Sequence, residues 1–243
     1  MKASSKRSNN LQGTVSCPGD KSISQRSVII GSLLEEDIQI SGFLFAEDPL
    51  STIGALRNLG HEIEINDGKV LIKNSKNNIF DKKVFCNLGN SGTGFRLISG
   101  LVAGQEINAE LTGDDSLSKR PMNRIINPLN EMGAKIESNK GCAPLIFNKS
   151  QLVKEFLYEM PIASAQLKSC LLLAAISSNM KLTLHEKKVS RDHTERMLKY
   201  FGANITTKKY EGGQDIILDT NNKLRGKDYS VVGDFSSASF LIV

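Results

Sequence analysis

The sequence predicts an α/β (α+β) fold of three β-α-β-α-β-β units around a shared helical core. Three observations carry that reading. A short polar opening that runs into an apolar helix recurs at a spacing of about 70 residues. The second helix of each unit runs out at a glycine. After the glycine comes alternating apolar and polar sequence broken by a tight-turn pair, the mark of a hairpin.

The first opening is Gly19-Asp20-Lys21-Ser22-Ile23-Ser24-Gln25-Arg26. If Ser22 starts a helix, Arg26 lies four residues on along the same face. Lys21 then stands at the helix mouth, where free N–H groups and the dipole favour an anion. The pattern fits a phosphorylated or carboxylated small molecule, although a capped surface helix with solvated charges would read the same in isolation. The second opening is Asn90-Ser91-Gly92-Thr93-Gly94-Phe95-Arg96, and the third is Ser164-Ala165-Gln166-Leu167-Lys168. The glycine stops are Gly60, Gly133 and Gly202. Hairpins are predicted from 61–65 and 69–72 around Asp67-Gly68, and from 204–208 and 214–218 around Gly212-Gly213. A fourth opening, Gly233-Asp234-Phe235-Ser236-Ser237, leads into apolar residues with no stop signal after them, so the chain is expected to be C-terminally truncated.

Composition narrows the function. The chain has 243 residues, 40% hydrophobic and 23% charged, which is globular. A net charge of +5 suits anionic ligands but is too mild and too evenly spread for nucleic acid, and there is no Trp for base stacking. Cys17, Cys86, Cys142 and Cys170 form no C-x-x-C pair, and His61, His185 and His193 have no metal-ligand spacing. A reduced, cytoplasmic protein without a metal is expected. The basic start, 1–8, is followed by no apolar run and is not read as a signal peptide. The longest apolar stretch, 170–176, is far too short to span a membrane and reads as a buried helix.

Five segments in order carry a family resemblance: Gly19-Asp20-Lys21-Ser22; Leu88-Gly89-Asn90-Ser91-Gly92-Thr93; Leu111-Thr112-Gly113-Asp114-Asp115-Ser116-Leu117-Ser118-Lys119-Arg120-Pro121-Met122; Ser164-Ala165-Gln166; and Ser190-Arg191-Asp192-His193-Thr194-Glu195-Arg196-Met197-Leu198. Together they resemble 5-enolpyruvylshikimate-3-phosphate synthases, over about 11–243. The resemblance implies an enolpyruvyl-transferase fold of two three-unit domains with ligands in the cleft between them. Residues 20–228 would be one complete domain. Residues 1–19, with a strand near 13–15, and residues 229–243 would belong to a second domain that is largely absent. The implied reaction moves the enolpyruvyl group of phosphoenolpyruvate to the 5-hydroxyl of shikimate 3-phosphate and releases phosphate, within chorismate and aromatic amino-acid biosynthesis.

The resemblance also implies roles. Lys21 would be catalytic and touch both substrates. Ser22, Arg26, Ser164, Ala165, Gln166 and Arg191 would hold shikimate 3-phosphate, with Ala165 contributing only backbone. Gly92, Arg120 and Gln166 would hold phosphoenolpyruvate. Residue chemistry agrees: glycine permits close backbone approach to a phosphate, and an arginine fixed before a proline can clamp an anion bidentately. Lys119 and Arg124 read as solvated charges, Ser190 as a weaker match, and His193 as structural. Asp192 and Glu195 suggest a capping box. The family's acid/base Asp and Glu, two arginines and a lysine would lie in the missing half. No cofactor, membrane or nucleic-acid partner is implied, and a monomer is expected.

Three other readings compete with this one. A UDP-amino-sugar enolpyruvyl transferase would carry Lys-Asn where this chain has Lys21-Ser22, and tends to have a cysteine in the loop here occupied by Asp114-Asp115-Ser116-Leu117. A nucleotide P-loop needs adjacent Gly and Lys, but Asp20 intervenes and Thr14 stands where an earlier glycine belongs. A fragment that only binds shikimate 3-phosphate stays open.

Overall fold

The structure, a computed structural model, describes residue 4 and residues 12–74, 82–219 and 223–242. Most of the basic start and the final residue lie outside these. The first unit contains α1 (Lys21–Gly31), β1 (Ile38–Ser41), α2 (Glu47–Asn58), β2 (Glu62–Asn66) and β3 (Lys69–Lys73). The second runs β4 (Val84–Asn87), α3 (Gly92–Gly104), β5 (Ala109–Thr112), α4 (Asn123–Glu131), β6 (Lys135–Asn139) and β7 (Cys142–Asn148). The third repeats it as β8 (Glu155–Met160), α5 (Ala165–Ser177), β9 (Lys181–Glu186), α6 (His193–Tyr200), β10 (Asn204–Tyr210) and β11 (Gly213–Asp219). A two-residue strand β12 (Tyr229–Ser230) and helix α7 (Phe235–Ile242) follow.

Three four-stranded sheets result, ordered β12-β1-β3-β2, β4-β5-β7-β6 and β8-β9-β11-β10. In the second and third, the unit's first strand lies parallel to its second. The first unit has no such strand of its own, and β12 takes the place, parallel to β1 with Ile40 opposite Tyr229. Tyr229 and Ser230, which the sequence places beyond the complete domain, thus sit in its first sheet. No strand forms at 13–15, contrary to expectation. Val15 is 65% exposed, and the ladder contact of this segment is a single bridge from Gly19 to Gly233.

The three glycine stops take the same left-handed backbone: Gly60, Gly133 and Gly202 have φ of 90°, 108° and 90°. After each, the next N–H reaches back into the helix, from His61 to Leu56, Ala134 to Leu129 and Ala203 to Leu198. Asp67-Gly68 and Lys140-Gly141 have positive φ at both positions, the turn that matches strand twist.

Helices α1, α3 and α5 form the centre. All but two residues of α1 are buried, and α5 buries an unbroken run from Leu167 to Ala175. A helix apolar all round belongs inside. Two glycines let α3 and α5 meet backbone to backbone. A Cβ on Gly100 would fall 2.1 Å from the Cys170 carbonyl oxygen, and one on Gly104 would fall 2.4 Å from that of Ala174. Both partners advance by four residues, so the helices run parallel and begin at the same end. Burial in this core raises the Cys86 thiol to about 12 and the Cys170 thiol further still.

Gly100→Ala should cost about 1–3 kcal/mol by forcing the two helices apart; urea titration of the variant against the parent measures it. His61 offers a second test. Burial lowers its imidazole to about 4, and Nε2 has no hydrogen-bond partner among the described residues. The folded chain resists protonation there while the unfolded chain does not, so His61 costs stability as pH falls from about 6.5 to 4, by about 3 kcal/mol. The difference in unfolding free energy between His61→Phe and the parent should therefore change with pH across that window and be flat above pH 7.

Candidate functional site

The parallel core brings three helix N-termini to one end of the domain. Each carries its own cap. Asp20 accepts from the Ile23 N–H at 2.8 Å, Ser91 from Gly94 at 3.1 Å and Ser164 from Leu167 at 3.3 Å. The helix mouth is therefore capped by Asp20 rather than opened by Ser22. Side chains on these turns then link the helices. Gln25 Nε2 donates to Ser91 Oγ at 2.6 Å and Thr52 Oγ1 at 3.0 Å, joining α1, α2 and α3. Gln166 Nε2 donates to Thr93 Oγ1 at 2.9 Å, joining α5 to the turn that holds Gly92.

Lys21 projects at the mouth of α1 with its side chain 51% exposed, and its ammonium rests 3.1 Å from Asp48. Such an exposed pair is weak and leaves the cation available to a ligand. Arg26 is different, only 3% exposed. Its Nε donates to Thr194 Oγ1 at 2.8 Å, Nη1 to the Ser22 carbonyl at 2.9 Å and Nη2 to Ser169 Oγ at 2.9 Å. Ser169 in turn donates to the Ala165 carbonyl at 2.6 Å. Its proton is thereby used, so Thr194 donates across the 2.6 Å contact between the two hydroxyls. Arg26 is thus fixed to α5 and α6 by a directed chain, with one N–H left on each terminal nitrogen. Burial lowers it to about 10, with Glu195 and Asp20 partly offsetting that effect. Arg191 is exposed on the loop before α6, and its charge acts on both Arg26 and His193.

Gly92 lies between two guanidinium groups. A Cβ there would sit 2.9 Å from Arg120 Nη1 and 3.0 Å from Arg96 Nη1. Arg120 is oriented by Asn90, whose carbonyl and side-chain oxygen both accept from it, and by Ser116 Oγ at 3.3 Å. Arg96 is half-buried and donates to the Gly92 carbonyl at 2.9 Å. Burial, first, and then the like charges of Arg124 and Arg120 hold its pKa below the usual arginine range. Arg124 is exposed, as expected, but it adds to this positive field. Three guanidinium groups thus stand around the N-terminus of α3, an arrangement that favours an anion.

A second arrangement escaped sequence reasoning. Lys168, wholly buried on α5, stands 3.1 Å from Glu186 Oε2 and 2.6 Å from Glu195 Oε1. Burial raises the Glu195 carboxyl, against the pull of Lys168. Burial would also raise Glu186, but donors from Ser190, Gln214 and Lys168 outweigh it and hold the group below its usual value. Glu195 therefore serves no capping box: Asp192 makes no side-chain cap bond and pairs with Arg196 at 2.7 Å. A buried ion pair beats a terminal cap here because α6 turns Glu195 inward. Arg96, Asp48, Ser169 and Thr194 were also missed. Each acts through a partner far away in sequence, and only Arg96, spaced from Gly92 as Arg26 is from Ser22, left a sequence signal.

The carboxylates around these cations are engaged among the described residues: Asp20 caps α1, Asp48 meets Lys21, and Asp114 accepts from Asn90 and from the Leu117 N–H. The described residues contain no group of His, Cys, Asp and Glu that could hold a metal ion. No helix among them is long and apolar enough to cross a membrane.

Fold and site together define a class: an α/β domain that gathers cationic side chains at the N-termini of its buried parallel helices. Residues 5–243 match the family model described as EPSP synthase (3-phosphoshikimate 1-carboxyvinyltransferase), and the chain belongs to that family. It is 46% identical over 237 residues to the 3-phosphoshikimate 1-carboxyvinyltransferase of Vesicomyosocius okutanii, covering 97% of this chain and 54% of that protein. The enzyme of the same name from Thermodesulfovibrio yellowstonii is 45% identical over 247 residues, covering 98% and 55%. EPSP synthase from Acinetobacter baumannii superposes with a TM-score of 0.82 at 40% identity, over 95% of this chain and 52% of that one. The chain spans about half the length of these relatives.

Thr194→Val preserves shape but leaves Arg26 Nε without its acceptor and breaks the hydroxyl chain. Stability should fall by about 1–3 kcal/mol, read by urea unfolding, while Ser190→Ala, whose hydroxyl has no partner among the described residues, should change it much less.

Proposed function

We propose that the protein to which this chain belongs transfers the enolpyruvyl group of phosphoenolpyruvate to the 5-hydroxyl of shikimate 3-phosphate, releasing phosphate. The observation that carries this is the gathering of Lys21, Arg26, Arg96, Arg120 and Arg191 at three helix N-termini whose neighbouring carboxylates are already engaged. Two multiply anionic substrates need such a field, in a site that supplies charge without reorganising. Family membership supplies the chemistry the field serves.

In this reading, Arg26, Arg191, Ser22 and the α5 opening from Ser164 through Ala165 to Gln166 hold shikimate 3-phosphate. The exposed Arg191 and the free N–H groups of Arg26 face its phosphate. Gly92 and Arg120, with Gln166, hold phosphoenolpyruvate. Lys21 leaves Asp48 for the ligands and stabilises negative charge near the reacting hydroxyl. The hydroxyl oxygen bonds to the enol carbon that bears phosphate as its proton departs, and the terminal carbon gains a proton. Loss of phosphate, and of a proton from that same carbon, restores the double bond. Those proton transfers need groups poised between acid and base. Asp20 and Asp114 stay held by their own partners, and we assign these transfers to the part of the parent protein beyond this chain.

The organisation follows. Residues 20–230 carry the shikimate-phosphate side of a two-domain enzyme, and the adjacent crossings at Gly19 and Gly233 lead to the other domain. The enzyme works as a cytoplasmic monomer without a cofactor.

Calorimetry of the 243-residue chain with shikimate 3-phosphate should show binding, weakened by about 10- to 100-fold in Arg191→Ala, the worth of one charge-assisted contact. Lys181→Ala, on the far side of β9, should not alter it. Phosphate release with both substrates should be absent from the chain alone and present in the complete protein. Robust turnover by the chain alone would place the acid/base groups within it and overturn this division of labour.

A further inference from the structure

Among the described residues, the Lys168 cluster is the one group of buried charges that the proposed chemistry leaves unused. Buried ion pairs are a poor source of stability, because desolvation cancels much of their attraction. This one has an uneven composition, one ammonium between two carboxylates, and it borders the shikimate-phosphate side of the site. Lys168 lies one turn into α5, directly below the Ser164–Gln166 opening. Its Nζ also approaches the Ser190 carbonyl at 3.5 Å, and Glu186 Oε1 accepts from the Ser190 N–H at 3.0 Å. Ser190 is the residue before Arg191. Glu195 follows Thr194, the acceptor of Arg26 Nε, and among the charges around Arg26 it is the strongest attraction. The other charges facing Arg26 are Asp20, which attracts it, and Arg191, which repels it.

Charge arithmetic shows what Lys168 does. With it, two buried cations, Arg26 and Lys168, balance two buried carboxylates, Glu186 and Glu195. Exposed Arg191 is then a surplus positive charge for an incoming anion. Without it, the carboxylates outnumber Arg26. Among the described residues Lys168, at 2.6 Å, is the ion-pair partner of Glu195, so without it Glu195 would draw on Arg26 instead. The guanidinium N–H groups that face the ligand would then be spent on Glu195.

We infer that Lys168 is a positioning residue for the shikimate-phosphate subsite: its buried ammonium occupies Glu186 and Glu195, so that Arg26 stays available to the ligand phosphate and the Ser190–Arg191 turn stays seated beside it. It touches no substrate itself. The inference rests on the function proposed above.

The experiment measures the dissociation constant of shikimate 3-phosphate by calorimetry for the 243-residue chain and three variants, with circular dichroism confirming the fold of each. Lys168→Met keeps the length of the side chain and removes its charge; it should bind at least tenfold more weakly. Adding Glu195→Gln restores the charge balance, so the double variant should return to within about threefold of the parent. A packing role would not be rescued by neutralising a carboxylate. Glu195→Gln alone adds net positive charge beside Arg26 and should bind two- to fivefold more tightly. If Lys168→Met does not fold, Glu195→Gln decides the matter: tighter binding supports the inference, and equal or weaker binding overturns it. Binding by Lys168→Met within twofold of the parent, or weakening without rescue in the double variant, would sink the inference and leave the functional reading intact. A parent chain that fails to bind shikimate 3-phosphate at all overturns that reading, and this inference with it.

Discussion

The close parallel contact of α3 with α5 is the constraint on which the rest depends. Gly100 and Gly104 lie against the carbonyls of Cys170 and Ala174 with no room for a side chain. This contact sets the register of the two helices, and register decides that their first turns end at the same level. Helix N-termini carry unsatisfied N–H groups and a partial positive charge. Two of them level with one another, and with that of α1, make a positively polarised end from backbone alone. The arginines refine a field that the packing has already built.

That arrangement explains why the polar residues inside the domain collect where they do. Gln25, Ser91 and Thr52 bridge the first turns of three helices, and Ser169 and Thr194 tie Arg26 to two more elements. Away from this end the core is apolar, with Leu171, Leu172, Leu173 and Ile98 fully buried. Polar contacts in a low-dielectric interior are strong when complete and costly when not. They are concentrated where rigidity matters, beneath side chains that must hold a fixed direction toward a ligand.

The first unit illustrates how the chain closes on itself. Its sheet lacks the parallel strand that the other two units make for themselves, and β12 supplies it from nearly two hundred residues away in sequence. An open edge beside β1 is thereby covered. The same excursion brings Gly233 beside Gly19, so two crossings leave the domain side by side. Beyond them α7 carries Phe235 and Phe240 79% and 88% exposed. Such apolar exposure on a helix marks a surface built to be covered, in keeping with a chain that spans half the length of its relatives.

Local sequence was enough for the repeat, the glycine stops and the hairpins, because each depends on the backbone freedom or periodicity of a few neighbouring residues. Gly60, Gly133 and Gly202 adopt the left-handed conformation that their positions foretold. The openings around Lys21, Gly92 and Ser164 were also visible, since each helix N-terminus writes its cap within a few residues. What the sequence could not show is how far each charge would be buried and against what. Arg26 and Arg191 look alike in the chain, yet one is fixed in the interior and the other stands in solvent. Lys168 reads as an ordinary helix lysine, and Glu195 as half of a cap. Only packing turns both inward, where Lys168 meets Glu195 and Glu186 across three elements. The physical reason is distance along the chain: caps and turns are settled by contacts within a few residues, whereas desolvation and ion pairing are settled by whichever elements the fold brings together.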